Sequence, residues 1–279
     1  METVKITAQD VNKLRQITGV GMMDCKKALE ESNGDFEAAI EILRKKGQKV
    51  AANRSDRSAN EGYVLGLVTA DKTKGIIVAV NCETDFVGKN SDFTGFATKV
   101  ANIALEKYPA SKDALLAEQI DGRSIQDHIT DMTGKIGEKI EIGCYEKVEG
   151  AFVYAYNHPG NRIVAVVGLN KNFDNAELAA KNVAMQAASM NPVALDKNDV
   201  PTDLIEKELE IAKDLLRQEG KPEDKIEMIA KGKLEKYFKE STLLNQDYIM
   251  DNKLTVAAYL KSLDKDLTVT AFKRYGLGQ

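Results

Sequence analysis

Within the first 47 residues the apolar positions fall at helical spacing in three short runs. Val11, Leu14 and Ile17 share one face of a first helix. Thr7 is placed to cap it, with Asp10 at the third helical position, a variant of the capping box. Thr18-Gly19-Val20-Gly21 breaks that helix. A second carries Met23, Cys25, Ala28 and Leu29 and stops at Asn33-Gly34. Asp35 caps a third, in which Phe36, Ile40 and Leu43 recur, and Gly47 is its expected C-terminal stop. A module of this size is marginally stable alone. Residues 48–61 are polar and mixed in charge, with no large apolar side chain beyond Val50, and read as a linker with some helix.

A weak internal repeat follows. Residues 63–68 and 76–80 predict a hairpin, then a helix over about 93–107 and Pro109. Residues 152–156 and 163–169 predict a second hairpin, then a helix over about 176–190 and Pro192. The strands Ile76-Ile77-Val78-Ala79-Val80 and Ile163-Val164-Ala165-Val166-Val167 nearly superimpose. Two β-β-α units predict an α+β core of two related subdomains. Strands this apolar need helices to cover them.

Residues 203–239 have a different pattern. Ile205, Leu209, Ala212 and Leu216 keep heptad spacing, Gly220-Lys221-Pro222 turns the chain, and Ile226, Ala230, Leu234 and Tyr237 return. This predicts an antiparallel helical hairpin. Glu and Lys fill its other positions, as expected of a protruding contact arm. The tail holds a helix over 256–263 and a strand over 267–272 that returns to complete a sheet.

Composition narrows the function. The 279 residues are 43% apolar and 29% charged with a net charge of −4, which argues against a nucleic-acid binder driven by bulk charge. No apolar run approaches the roughly 18 residues of a membrane span. Met1-Glu2-Thr3-Val4-Lys5 lacks the apolar stretch of a signal peptide, so a cytoplasmic location is the expectation. Cys25, Cys82 and Cys144 are odd in number and far apart, and read as reduced, packed thiols. There is no GxxxxGK[ST], HExxH or nucleophile elbow. Gly19-Val20-Gly21 follows a helix and lacks the third glycine of a dinucleotide fingerprint. The two histidines, His128 and His158, lie in different segments. No catalytic, metal or cofactor set assembles, which disfavours a hydrolase or transferase.

Thr84-Asp85-Phe86-Val87 stands out, placed between the strand ending at Asn81 and a helix start at Asn90-Ser91-Asp92. An aromatic on such a turn is either a core plug or a knob offered to a partner, and burial statistics favour the plug. Met22 and Met23 are adjacent, so both cannot face a small helical core, and an exposed Met suits an adaptable partner surface. His158 sits in a hairpin turn, Tyr156-Asn157-His158-Pro159-Gly160.

The segment Leu14-Arg15-Gln16-Ile17-Thr18-Gly19-Val20-Gly21-Met22-Met23-Asp24-Cys25-Lys26-Lys27-Ala28-Leu29 resembles the signature of the bacterial elongation factor Ts family. Asn33-Gly34-Asp35, Asn81-Cys82-Glu83-Thr84-Asp85-Phe86-Val87, Lys135-Ile136-Gly137-Glu138, Ala187-Ala188-Ser189 and Gly220-Lys221-Pro222 extend the likeness over nearly the whole chain. The resemblance implies a guanine-nucleotide exchange factor for elongation factor Tu, acting on its GDP-bound and nucleotide-free forms, with no cofactor. It implies a ubiquitin-associated-like three-helix domain at residues 1–50 and a linker at 51–61. A core N-subdomain then spans 62–149 and the first part of a C-subdomain 150–200. An antiparallel coiled-coil hairpin spans 201–240, and the C-subdomain returns over 241–279.

Carried over by position, Thr84, Asp85, Phe86 and Val87 are the expected knob that disturbs the partner's Mg²⁺ site. Arg15, Met22, Met23 and Lys26 match contacts of the N-terminal domain. Ile136 and Gly137, His158, and Ile249 and Met250 match further partner contacts. Neither direct nucleic-acid binding nor membrane binding is implied. Two departures stand out: longer members continue past the last strand into a helical module, where this chain ends at Tyr275-Gly276-Leu277-Gly278-Gln279, and Pro159 is a local variation beside His158. The competing reading is a scaffold that binds a partner without changing its ligand. Exposure of Phe86 separates the two.

Overall fold

The structure is a computed structural model that describes residues 5–279; the reading of Met1–Val4 as lacking a signal segment lies outside the described residues. It divides into two compact units. The first takes the chain up to Val64, Val78–Tyr145 and Leu277–Gln279; the second takes Leu65–Ile77 and Glu146–Gly276. The architecture is mixed, helices with several small sheets, as the α+β reading expects.

The chain opens with α1 (Ala8–Thr18), α2 (Met22–Glu31) and α3 (Phe36–Arg54). The local signals act as expected. Thr7 and Asp10 form a reciprocal capping box, and Gly19, left-handed at φ 67°, ends α1. Asp35 caps α3 by accepting from Ala38 N. Val11, Leu14, Cys25, Ala28, Leu29, Ala39 and Leu43 form the buried centre. Gly47 does not end the third helix: α3 continues to Arg54. A glycine inside a helix costs about 0.5–1 kcal/mol. Here it is buried and lets α3 pass close to Gly134 of a later helix, so tertiary packing overrides the local stop signal.

Next come β1 (Glu61–Val68), β2 (Lys74–Cys82), the single-turn α4 (Asp85–Gly88) and α5 (Ser91–Lys107). Asn90 caps α5, which buries Phe93, Phe96, Ala97, Val100, Ala101 and Ala104. The stretch after Pro109 completes the predicted N-subdomain segment. It folds as α6 (Lys112–Ala117), the short ribbon β3 (Gln119–Ile120) and β4 (Arg123–Ser124), α7 (Ile125–Ile136) and β5 (Glu141–Glu149). The helix α7 packs on α3, is capped by Ser124 and ends at Gly137, φ 79°. One sheet has the order β1-β2-β5.

The second unit is built on β6 (Phe152–Asn157), β7 (Ile163–Leu169) and α8 (Ala176–Met190), close to the predicted bounds. Two long helices follow, α9 (Thr202–Gln218) and α10 (Glu223–Ser241), then β8 (Asp247–Tyr248), β9 (Asp251–Thr255), α11 (Val256–Leu263) and β10 (Val269–Gly276). The last strand starts two residues later than expected and runs longer. It does return to the sheet, pairing antiparallel with β7 in the order β10-β7-β6. Because β7 is central, its residues from Val164 to Leu169 are buried on both faces. Alanines 179, 180, 184 and 187 with Val183 give α8 a small-residue face against that core. The helices α9 and α10 pack on each other through buried Ala212, Leu216, Ile226 and Ala230 with Leu209 packed against them, five of the eight positions expected for the hairpin seam. Among the described residues no helix is long and apolar enough to cross a membrane.

Candidate partner-binding surface

The strand β2 ends at Cys82, and the next residues make a sharp capped turn. Thr84 holds an extended conformation, φ −121° and ψ 153°, and its hydroxyl oxygen accepts from Val87 N at 3.4 Å, which starts α4. Gly88 closes the turn against the backbone of Gly62, where an added Cβ would lie 3.1 Å from the Gly62 carbonyl oxygen. Phe86, in the middle of this turn, is 84% exposed. The core-plug reading is therefore set aside: the ring points to solvent. Asp85 accepts from Lys89 Nζ at 2.6 Å, and that bond holds its carboxyl below the ordinary range.

Two carboxylates back the turn. Glu138, in the loop after α7, accepts from Thr84 N at 3.0 Å and from Thr84 Oγ1 at 2.7 Å. Glu83 accepts from Lys139 N at 2.7 Å and from Arg54 Nη1 at 3.0 and 3.1 Å. The Lys139 amide first, and the Arg54 guanidinium after it, hold the Glu83 carboxyl below its usual range despite burial. Both glutamates lie inside the motifs that carry the family resemblance, but their role here was not legible. Glu138 and Thr84 are 54 residues apart, and pairing over such a distance leaves no local signal.

Beside the knob is a groove of about 450 Å³. Phe86, Val87, Met132 and Ile136 give it apolar walls, and Asn90, Asp92, His128, Asp131 and Lys135 line the rest. His128 is tied to the Ile120 carbonyl at 2.9 Å through Nε2. The groove brings together the Thr84–Val87 turn, Ile136 and, from α1, Thr18.

The remaining predicted residues occupy accessible positions. Arg15 and Lys26 are exposed, and Lys26 pairs loosely with Glu30 at 3.7 Å. Met22 and Met23 are both exposed, 42% and 65%, more than the one exposure expected of the pair. Gly137 is partly exposed at the end of α7. In the second unit His158 is exposed in the β6–β7 turn, where its backbone N–H donates to Ile163 O and Nδ1 lies 3.0 Å from Tyr156 Oη. Ile249 and Met250 are exposed in the turn from β8 to β9. Among the described residues no cluster of His, Cys, Asp and Glu is placed to hold a metal ion. The surface offers apolar knobs and hydrogen-bonding edges, a chemistry of binding.

The family model described as Elongation factor TS matches residues 83–279. The chain is 58% identical over 273 residues to the Elongation factor Ts of Flavobacterium psychrophilum, covering 98% of this chain and 99% of the other. It is 56% identical over 274 residues to that of Christiangramia forsetii, with the same coverage. It is 50% identical over 274 residues to that of Porphyromonas gingivalis, covering 98% of both.

Proposed function

The chain belongs to the elongation factor Ts family and so to the factors of translation elongation, and from that premise we propose that it is a guanine-nucleotide exchange factor for elongation factor Tu. The observation that carries this reading is the exposure of Phe86 on a capped and braced single turn. An unsupported single turn is unstable in water, and a large exposed aromatic on one gains nothing for the fold. Both features make sense when the ring is to enter a partner.

In this reading the factor binds GDP-bound elongation factor Tu and drives the Phe86 ring between elements of its nucleotide domain. Mg²⁺ needs near-ideal octahedral geometry and bridges nucleotide phosphates to protein. A small displacement of its surroundings therefore weakens nucleotide binding sharply. No covalent step is required of the factor. The coupling is reciprocal: the factor loosens nucleotide, and nucleotide expels the factor, so the nucleotide-free partner is held most tightly. Arg15, Met22, Met23 and Lys26 supply a second contact on the nucleotide domain, and Ile136 with Gly137 borders the knob. His158, Ile249 and Met250 supply contacts from the second unit. The α9–α10 hairpin serves as a coiled-coil contact arm. The setting is the cytoplasm, with neither nucleic acid nor membrane bound directly.

Stopped-flow release of fluorescent GDP from purified elongation factor Tu tests this, with the wild-type chain and Phe86→Ala at matched thermal stability. Acceleration by wild type and a large loss in the variant support exchange through the knob. Absence of acceleration by wild type leaves a binding scaffold. Full activity in the variant moves the mechanism to the other contacts.

A further inference from the structure

We propose that Glu138, seconded by Glu83, is a positioning residue for exchange: it fixes the orientation of the turn that carries Phe86, so that the partner yields and the knob does not. This rests on the exchange reading above. The four-residue helix is closed by few backbone bonds, Gly88 N–H to Thr84 O and Lys89 N–H to Asp85 O, each at 3.1 Å, and its side-chain cap is Thr84. Thr84 is in turn held at two points by one carboxylate, its N–H at 3.0 Å and its hydroxyl at 2.7 Å. With the hydroxyl proton committed to Glu138, a lone pair is left facing Val87 N, which starts the turn. Removing Glu138 therefore frees the cap to rotate and strips the Thr84 amide of its partner.

The neighbouring residues lace the same two segments in the opposite sense. Glu83 reaches across to Lys139 N, while Glu138 reaches back to Thr84. Two links at adjacent residues fix both the position and the rotation of one segment on the other. The Thr84–Val87 turn and the Ile136–Gly137 end of α7 thus behave as one piece. Arg54 binds both oxygens of Glu83 and adds the last turn of α3 to that piece. A rigid backing matters because a knob that displaces a metal site must pass its binding energy to the partner without deforming. A soft turn would still dock through the other contacts, yet it would bend back. The expected consequence is a lowered maximal exchange rate with little change in the concentration that half-saturates it.

The test is a titration of the factor in stopped-flow GDP release, using wild type, Glu138→Ala, Glu138→Gln, Phe86→Ala and the Phe86→Ala/Glu138→Ala double variant. Glu138→Ala is expected to lose about tenfold or more in maximal rate, with half-saturation held within about twofold. Glu138→Gln keeps one acceptor and falls between, and it carries the test if the alanine variant does not fold. With the knob already gone, Glu138→Ala should cost nothing further, because positioning an absent ring is worthless. Amide hydrogen exchange at Thr84 should quicken by about tenfold in Glu138→Ala while β2 amides hold. Full rate in Glu138→Ala, an additive loss in the double variant, or unchanged Thr84 protection overturns the positioning role and leaves the exchange reading standing. A wild-type chain that does not release GDP overturns both.

Discussion

Gly134 in α7 faces Gly47 in α3 so closely that a Cβ added to Gly134 would lie 2.4 Å from the Cα of Gly47. The reverse addition is not equivalent: a Cβ on Gly47 would sit 3.5 Å from the Gly134 Cα, an ordinary contact. Alanine gains about 1 kcal/mol over glycine inside a helix. Overpacking against backbone, which cannot rotate away, costs about 1–3 kcal/mol. Gly47→Ala is therefore expected to melt at or slightly above the wild-type temperature and Gly134→Ala below it, as followed by circular dichroism. The opposite order would mean that the crossing has slack.

Two phenylalanines seven positions apart test the exposure of the knob. Phe93 is fully buried in α5, and Phe86 is 84% exposed. Phe93→Ala should cost about 3–5 kcal/mol. Phe86→Ala should stay within about 0.5 kcal/mol of wild type, as surface substitutions do. Chemical denaturation of both variants gives the comparison. A large loss for Phe86→Ala would return the ring to the core.

Local signals carried most of the secondary structure. Thr7, Asp35 and Asn90 cap the helices their positions suggest, and the apolar strands 76–80 and 163–167 fall inside β2 and β7. What failed was decided at a distance. Gly47 looks like a helix stop until Gly134 is brought against it. In α7, Ile125, Ile129 and Thr133 are buried at four-residue spacing, a helical signal weakened by the polar residues between them. For the candidate site, the exposure of Phe86 ran against the burial expected of its residue type, and only the family resemblance pointed outward. Glu83 and Glu138 were unreadable as braces because their partners come from distant segments.

The lowered pKa of Glu83 gives a pH signature. Ionised Glu83 is stabilised in the fold by the Lys139 amide and by Arg54, so its contribution is fully present above the ordinary carboxylate range. That contribution is lost as pH falls through the lowered folded value. At neutral pH, Glu83→Gln should cost about 1–2 kcal/mol, the glutamate side chain being mostly buried. The gap between the two proteins should close toward acid pH. Urea unfolding at neutral and acid pH measures the gap, and a gap that does not narrow would remove the linkage.

The thiols report on whether the knob turn stays shut. Cys82 lies at the end of β2 with Sγ 3.1 Å from the Thr84 carbonyl oxygen, directly under the cap of α4. Burial first, then the neighbouring Glu138 and Glu61 carboxylates, push its thiol up to about 12. At pH 8 the site therefore holds very little of the reactive thiolate. Cys25 is also buried, whereas Cys144 is half-exposed. An aromatic disulfide reagent at pH 8 should therefore label Cys144 first, and reach Cys25 and Cys82 readily only in denaturant. Prompt labelling of Cys82 in the native protein would mean that the turn lifts away from the end of β2 under working conditions. A ring mounted on such a turn could not transmit force to a partner's metal site, so the rate of Cys82 labelling sets an upper limit on how loose the Phe86 knob can be.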